Sequence, residues 1–351
     1  MYLSRHAACY LFKGYTLVKI QILIRATLVA ALLWVGASMQ VQANGTYGHK
    51  IRPLVDAAWI KANTKKPGIR MLDIRIGAQK SYENGHIPGS VYTDYLKNRW
   101  RIKNAAGVPG MLPDIKSLET VIGTLGIDNN THVVLIPAGD DALEMGGATR
   151  LYWIFKLLGH DKVSILNGGL KAYVKAGYDM DWDIETPDHK IFKAHYRPEL
   201  LATKADVVAA RKQGIPLVDN RPIQEYRGMW KNPQITKPGT IKGARHVPAT
   251  KITIKNGGYF QNRAALKKLY QKAGVKTDGA QIVFCNTGHW ASIGWFVASE
   301  ILGNKSVRLY DGSLAEWSRD KTPNGEKNVW GYQTWKARLC KMQSLPYHEE
   351  R

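Results

Sequence analysis

The sequence predicts an α/β protein made of two tandem copies of one unit, each an open, mostly parallel sheet with helices on both faces. Three observations predict it. The chain has 351 residues, 44% hydrophobic and 22% charged, enough for about two ordinary cores. One half echoes the other at a spacing of about 145 residues. Within each copy short apolar strands alternate with helical segments, the pattern of sheets that place ligands at the carboxyl ends of their strands.

The elements follow in order. Arg70-Met71-Leu72-Asp73-Ile74-Arg75 is a short apolar strand ending in Asp-x-Arg, and Ile215-Pro216-Leu217-Val218-Asp219-Asn220-Arg221 repeats it 146 positions on. Glycine-bounded turns come next, Gly85-His86-Ile87-Pro88-Gly89-Ser90-Val91 and Gly239-Thr240-Ile241-Lys242-Gly243-Ala244-Arg245. Glycine there allows dihedrals closed to other residues. A buried-type strand and a helix follow in each copy, His132–Ile136 with Arg150–Leu158 and Gln281–Phe284 with Ile293–Leu302, the helices stopping at Gly159 and Gly303. Ser164 to Gly169 and Arg308 to Ser313 close the pattern 144 apart, each leading into a helix that holds Tyr173 or Trp317. The polar, proline-bearing stretch Asp181–Pro198 reads as a linker, and Ala202–Gln213 restarts helical patterning. The expected organisation is a first domain at 50–180, a linker at 181–199, a second domain at 200–338 and a tail at 339–351, with the two domains facing each other across a cleft.

The first 43 residues differ from the rest. They carry Arg5, Lys13, Lys19 and Arg25, no acidic residue, and the apolar run Ala26–Gly36. That run is shorter than the roughly 20 residues of a membrane span, and Val41-Gln42-Ala43 offers small residues for cleavage, so 1–43 reads as a signal peptide and the protein as exported, to a periplasm. The alternative is an uncleaved anchor. The formal net charge is +22, and losing those four cations leaves +18. An exported surface of that charge suits small anionic substrates better than nucleic acid. Cleavage removes Cys9 and leaves Cys285 and Cys340, too few for a disulfide framework, so stability has to come from packed cores.

Cys285 stands at the end of the strand Gln281–Phe284, and Asn286-Thr287-Gly288-His289-Trp290-Ala291-Ser292 leads from it into a helix. A thiol there sits among inward-pointing backbone N–H groups at the positive end of a helix, which favours the thiolate and would equally hold a persulfide. Gly288 lets the loop curl into an anion-binding nest. The blander reading, a small buried hydrophobe after a strand, fits free cysteines in general. The first copy keeps the framework without the thiol: Asp141, Asp140 or Pro137 stands in its place, according to how loops of unequal length are aligned. One domain is therefore expected to be active and one inactive.

These motifs together resemble the rhodanese family, specifically its two-domain thiosulfate and mercaptopyruvate sulfurtransferases, over nearly all of residues 52–338. The resemblance rests on Leu-Asp-Ile-Arg (72–75), Val-Asp-Asn-Arg (218–221), Gly-His-Ile-Pro-Gly-Ser (85–90), Asp-Gly-Ser (311–313) and the loop opened by Cys285. It implies a double displacement in which the Cys285 thiolate takes a sulfane sulfur from a small anionic donor and passes it to a thiophilic acceptor, a small molecule or a protein. The loop amides of Asn286, Thr287, Gly288, His289 and Trp290 would cradle the persulfide. Thiosulfate-using members commonly place Arg and Lys after the cysteine, where this chain has Asn286 and Thr287, so the donor stays open. His289 could supply a hydrogen bond or a charge to a donor anion at mildly acidic pH, and Trp290 could wall the pocket; both could instead simply pack the interface. Arg221 and Arg227 are candidate anion clamps, with Arg221 alternatively bracing the fold beside Asp219 and Glu225 reading as a structural ion-pair partner.

Other classes fit less well. Dual-specificity phosphatases and arsenate reductases need an Arg six positions after the cysteine, and position 291 is Ala. A non-catalytic, exported sulfur-carrier or binding module is the alternative function. Cys340 lies in a basic tail and reads as incidental. No ligand cluster has metal spacing and no glycine-rich turn carries a phosphate-binding lysine, so no cofactor is expected, nor any membrane contact once the signal is removed.

Overall fold

The computed structural model describes residues 51–254 and 258–319. The expectations for the signal segment, Cys9, Cys340 and the tail lie outside the described residues. Each half is an α/β unit around a five-stranded parallel sheet. In the first, β1 (Leu54–Val55), β2 (Ile69–Asp73), β3 (Ser90–Tyr92), β4 (His132–Ile136) and β5 (Val163–Leu166) lie in the order β1-β5-β4-β2-β3. In the second, β6 (Leu201–Ala202), β7 (Leu217–Asp219), β8 (Arg245–His246), β11 (Gln281–Phe284) and β12 (Val307–Tyr310) lie in the order β6-β12-β11-β7-β8, the same arrangement. Helices cover both faces, which is why β4 and β11 are near-continuous apolar runs rather than alternating ones. A small antiparallel ribbon, β9 (Thr253–Ile254) with β10 (Tyr259–Phe260), was not legible in the sequence pattern.

Three helix boundaries differ from expectation, each for a local reason. The first-half helix runs Ala142–Leu157, starting eight residues early because Asp141 caps it by accepting from the Glu144 amide at 2.9 Å. Its second-half partner runs His289–Phe296 and continues as a π turn, Val297–Ile301, so the helix begins at the cysteine loop itself. Ala202 belongs to β6, and the next helix waits until Lys204, behind a Thr203–Asp206 capping box.

The two halves are not separated by an open cleft. Helix Ala142–Leu157 packs directly on helix His289–Phe296 because small residues, Gly146 on one and Ala291 and Ser292 on the other, let the backbones approach. Thr149 Oγ1 and Ser292 Oγ lie 2.7 Å apart across the seam, and Tyr152 meets Phe296 edge-on at 4.8 Å between ring centres. One apolar cluster runs from Leu135 and Trp153 in the first half to Val283 and Trp295 in the second. The 181–199 stretch is pinned along the first half: the amides of His195 and Arg197 donate to the carbonyls of Leu158 and Leu157 at 2.9 and 2.8 Å, and Phe192 is buried.

The register settles which residue replaces the cysteine. Asp73 pairs with Ile136 as Asp219 pairs with Phe284, and the Pro137 carbonyl accepts from Leu170 N as the Cys285 carbonyl accepts from Leu314 N. Pro137 is the counterpart of Cys285. Asp141 has moved on to cap a helix.

Candidate active site

The site is built from the carboxyl end of β11 upward. The sheet delivers Cys285 to the edge of a cavity of 260 Å³ that the two halves close between them. Asn286, Thr287, His289 and Trp290 line it with Cys285, from the second half, and Asn232 and Gln234 join them from a loop of the same half. Ile76, Tyr95, Leu96, Arg101 and Leu143 come from the first half. The residue Cys285 is 1% exposed, so its sulfur meets what enters this cavity and little else.

The loop's shape has a short list of causes. Gly288 adopts φ +74°, left-handed, and turns the chain into the helix that starts at His289. Ser313 Oγ accepts from the amides of Cys285 and Gly288, both at 3.1 Å, while donating to the Tyr310 carbonyl at 2.8 Å. Two of the loop's N–H groups are thereby spent on structure. The amides of His289, Trp290 and Ala291, first in their helix, have no intrahelical acceptor. An anionic sulfur beside that helix end is where such donors act most strongly. Ser313 itself sits at φ +47°, a costly conformation for a residue with a Cβ.

The first half reaches across to hold this loop. Arg101 Nη2 donates to the Thr287 carbonyl at 2.5 Å and Nε to the Gly110 carbonyl at 3.2 Å, with the guanidinium beside the Tyr95 ring. The fully buried Arg150 pairs with Asp311 at 2.5 Å, and Asp311 also accepts from Leu112 N at 2.7 Å. A Cβ on Gly288 would lie 2.6 Å from Arg150 Nη1, so the ion pair sits against the loop.

The structure corrects the reading of three candidates. His289 does not charge to meet an anion. It is buried, its Nε2 lies 2.8 Å from the Leu143 carbonyl, which can only accept, and its Nδ1 lies 2.8 Å from the Tyr95 hydroxyl. Nε2 therefore carries the proton and Nδ1 accepts from Tyr95. Burial, with Arg101 and Arg150 nearby, pushes its pKa down to about 3. Arg221 is fully buried: its Nε and Nη2 hold Asp219, and Nη2 also donates to the Gly239 carbonyl at 2.7 Å. Arg75 holds Asp73 and the Gly85 carbonyl in the same way in the half that has no cysteine. A bond found in both halves is a brace of the fold, and in the second Arg221 meets the site through a 3.5 Å contact to Asn286 Oδ1 and through Glu225 at 3.8 Å. Arg227 is exposed at the end of the short helix Ile223–Tyr226 and is not among the cavity-lining residues. Glu225 is buried, accepts from Asn286 Nδ2 at 2.6 Å, and is pushed upward in pKa by that burial. Trp290, half-buried, does wall the pocket.

Sequence reasoning missed Tyr95, Arg101, Arg150 and Ser313. Only Ser313, inside the Asp-Gly-Ser that answers Asn167-Gly168-Gly169 of the first copy, carried a signal in the pattern; the others come from the half without the thiol, where nothing marked them.

The comparisons agree with this geometry. The family described as rhodanese-like domain matches residues 56–176 and 203–320. The thiosulfate sulfurtransferase of Mus musculus is 30% identical over 310 residues, covering 86% of this chain and 95% of that one. A sulfur carrier protein of Thermus thermophilus is 30% identical over 278 residues, covering 75% and 93%. Among solved structures, a rhodanese-fold 3-mercaptopyruvate sulfotransferase from Escherichia coli superposes with a TM-score of 0.65 at 26% identity, covering 75% of this chain and 98% of that one. An anaerobic ergothioneine biosynthesis enzyme from Chlorobium limicola shares the fold, with a TM-score of 0.66 at 21% identity over 78% of this chain and 70% of that one. The chain belongs to the tandem-domain rhodanese family of sulfurtransferases.

Proposed function

We propose that this protein moves a sulfane sulfur from a donor to a thiophilic acceptor through a persulfide on Cys285. The observation that carries the reading is the position of Cys285, at a strand's carboxyl end, before a helix N-terminus, and open to a cavity. With thiosulfate as donor, the Cys285 thiolate attacks the outer sulfur, the S–S bond breaks, and sulfite leaves with the bonding pair. Cyanide then attacks the outer persulfide sulfur, leaving as thiocyanate and returning the thiolate, with charge balanced at each step. The loop amides stabilise the anionic sulfur throughout. His289 stays neutral and positions Tyr95, while Arg101 and Ser313 hold the loop. We extend the proposal to an exported, signal-cleaved protein, which N-terminal sequencing of the mature chain tests.

The test of function is a sulfurtransferase assay of the wild type beside Cys285→Ser, with thiosulfate and 3-mercaptopyruvate as donors and cyanide as acceptor. Turnover lost in the variant, with a sulfur adduct on wild-type Cys285 by mass spectrometry, supports the reading. An intact, folded chain that neither turns over nor gains sulfur at Cys285 would return the protein to the binding-module alternative.

A further inference from the structure

The described residues hold a second cavity that the sulfur chemistry does not use. It is a cleft of 320 Å³ in the first half, larger than the one at Cys285 and roomy enough for about ten waters at roughly 30 Å³ each. It lies at the amino end of β2, whereas Ile76, beyond that strand's carboxyl end, lines the catalytic cavity, so the two stand at opposite ends of one sheet. Four cations line it, Lys65, Lys66, Arg70 and Lys190, against one carboxylate, Glu185. Lys65 and Lys190 are each held from outside the lining, by Asp181 at 3.3 Å and Asp128 at 3.2 Å. Lys66 donates to the neutral Asn63 Oδ1 at 3.2 Å.

Arg70 is the unsatisfied member. It is half-buried, and its Nε is shut off from water without a hydrogen-bond partner. A buried donor in that state costs free energy until an acceptor arrives. Burial lowers the pKa of Arg70, and the charge of Glu185 opposes that lowering only in part. Gly126, at φ +68°, lets the chain pass over the guanidinium: a Cβ there would lie 2.8 Å from Nη2 and 2.7 Å from the Pro187 Cβ. The strand thus supplies Arg70, the turn before it Lys65 and Lys66, and the 181–199 stretch Glu185 and Lys190.

We propose that this cleft is a non-catalytic binding site for a phosphate group, free or as the monoester of a small polar molecule. A dianion matches Arg70 and Lys66, the two lining cations without a bonded carboxylate among the described residues, and the guanidinium fork offers parallel N–H donors to two of its oxygens. Most of the remaining wall is polar side chain and glycine backbone, so the body of an ester seated there is a polyol rather than a hydrocarbon chain. Bound in this way, the ligand bridges β2 to the 181–199 stretch.

Isothermal titration calorimetry of the full-length chain at fixed ionic strength tests this, with inorganic phosphate, glycerol 3-phosphate, glycerol and acetate as probes. Both phosphates should bind, glycerol should give no heat, and acetate should bind about tenfold more weakly or worse. Arg70→Gln should weaken phosphate binding about tenfold or more, and Lys66→Gln, at an exposed position, should weaken it several-fold. Glu185→Gln should tighten it about twofold to fivefold. All three variants should keep the wild-type rate of sulfur transfer, since none of these residues lines the cavity at Cys285. An ester tighter than the free ion identifies the monoester as ligand, and equal affinities identify free phosphate. Phosphate binding unchanged in both Arg70→Gln and Lys66→Gln, or no binding of either phosphate in the millimolar range, overturns the site. Acetate binding as tightly as phosphate overturns the ligand class.

Discussion

Ser313 is the residue on which the cysteine loop's geometry converges, and two substitutions there separate its hydrogen bonding from its backbone strain. Ser313→Ala removes the acceptor of the Cys285 and Gly288 amides and the donor to the Tyr310 carbonyl, all buried. Each buried group left without a partner costs about 1–3 kcal/mol, so the two amides alone predict a loss of about 2–6 kcal/mol. The carbonyl adds less, since it keeps a second lone pair. Alanine keeps the left-handed backbone at φ +47°, which costs a residue with a Cβ about 1–2 kcal/mol, whereas Ser313→Gly relieves it. Glycine should therefore be less destabilised than alanine by about 1 kcal/mol, although neither has a hydroxyl. Urea unfolding gives both numbers, and kcat/KM of the folded fraction should fall in both, because the amides no longer hold the loop closed. An alanine variant within about 0.5 kcal/mol of wild type, with unchanged kcat/KM, would refute the assignment of Ser313 as the loop's anchor.

Further outcomes follow from the seam between the halves. Gly146→Ala gains up to about 1 kcal/mol of helix propensity, but its Cβ would sit 2.4 Å from His289 Nε2, a ring fixed by two hydrogen bonds. A net loss of about 1–3 kcal/mol is therefore expected in thermal unfolding. Gly147→Ala, whose Cβ meets the movable Ile76 side-chain tip at 3.3 Å and Ile74 Cδ1 at an ordinary 4.0 Å, should be neutral or stabilising, and equal losses in the two would contradict the close-approach argument. Arg150→Leu strands the Asp311 carboxylate and should cost about 3–5 kcal/mol, with part recovered in the double variant carrying Asp311→Asn; additive losses would show that the pair is not coupled. His289 is lowered from 6.5 to about 3, so below pH 6.5 the unfolded chain binds a proton that the native chain does not, and stability falls as pH drops through that window. Urea midpoints at pH 6.5, 5.5 and 4.5 should show wild type losing about 1.4 kcal/mol more per pH unit than His289→Gln, and parallel profiles would mean that His289 titrates in the native state.

The parts of this molecule legible in its sequence are those the repeat writes twice. Paired Asp-x-Arg strands, glycine turns and the strands His132–Ile136 and Gln281–Phe284 stand where the pattern placed them, because a strand buried on both faces leaves an unbroken apolar run. Helix starts were less legible, since a cap such as Asp141 is one polar residue whose role depends on a loop's length. The same ambiguity left three residues open as the counterpart of Cys285, and only strand register chose Pro137. Charged residues misled most. Arg221 and Arg227 drew attention as candidate anion clamps, whereas the first-half cations packed against the loop, Arg101 and Arg150, lie 184 and 135 positions before Cys285 and no local pattern connects them to it.

The half without a thiol is part of the site and more than a remnant of duplication. Pro137 has no N–H to offer a hydroxyl in the way Cys285 N meets Ser313, so the counterpart loop lacks both the thiol and the bond that positions it. What that half keeps is what the second half lacks: an apolar wall of Ile76, Leu96 and Leu143, the Tyr95 hydroxyl that fixes His289, the Arg101 contact on Thr287, and the Arg150 side chain packed against Gly288. A lone second domain would open Cys285 to solvent, lose two loop-holding cations, and expose the face of helix His289–Phe296 that carries Ser292. The cysteine belongs to one domain, but the cavity in which it stands is lined by both.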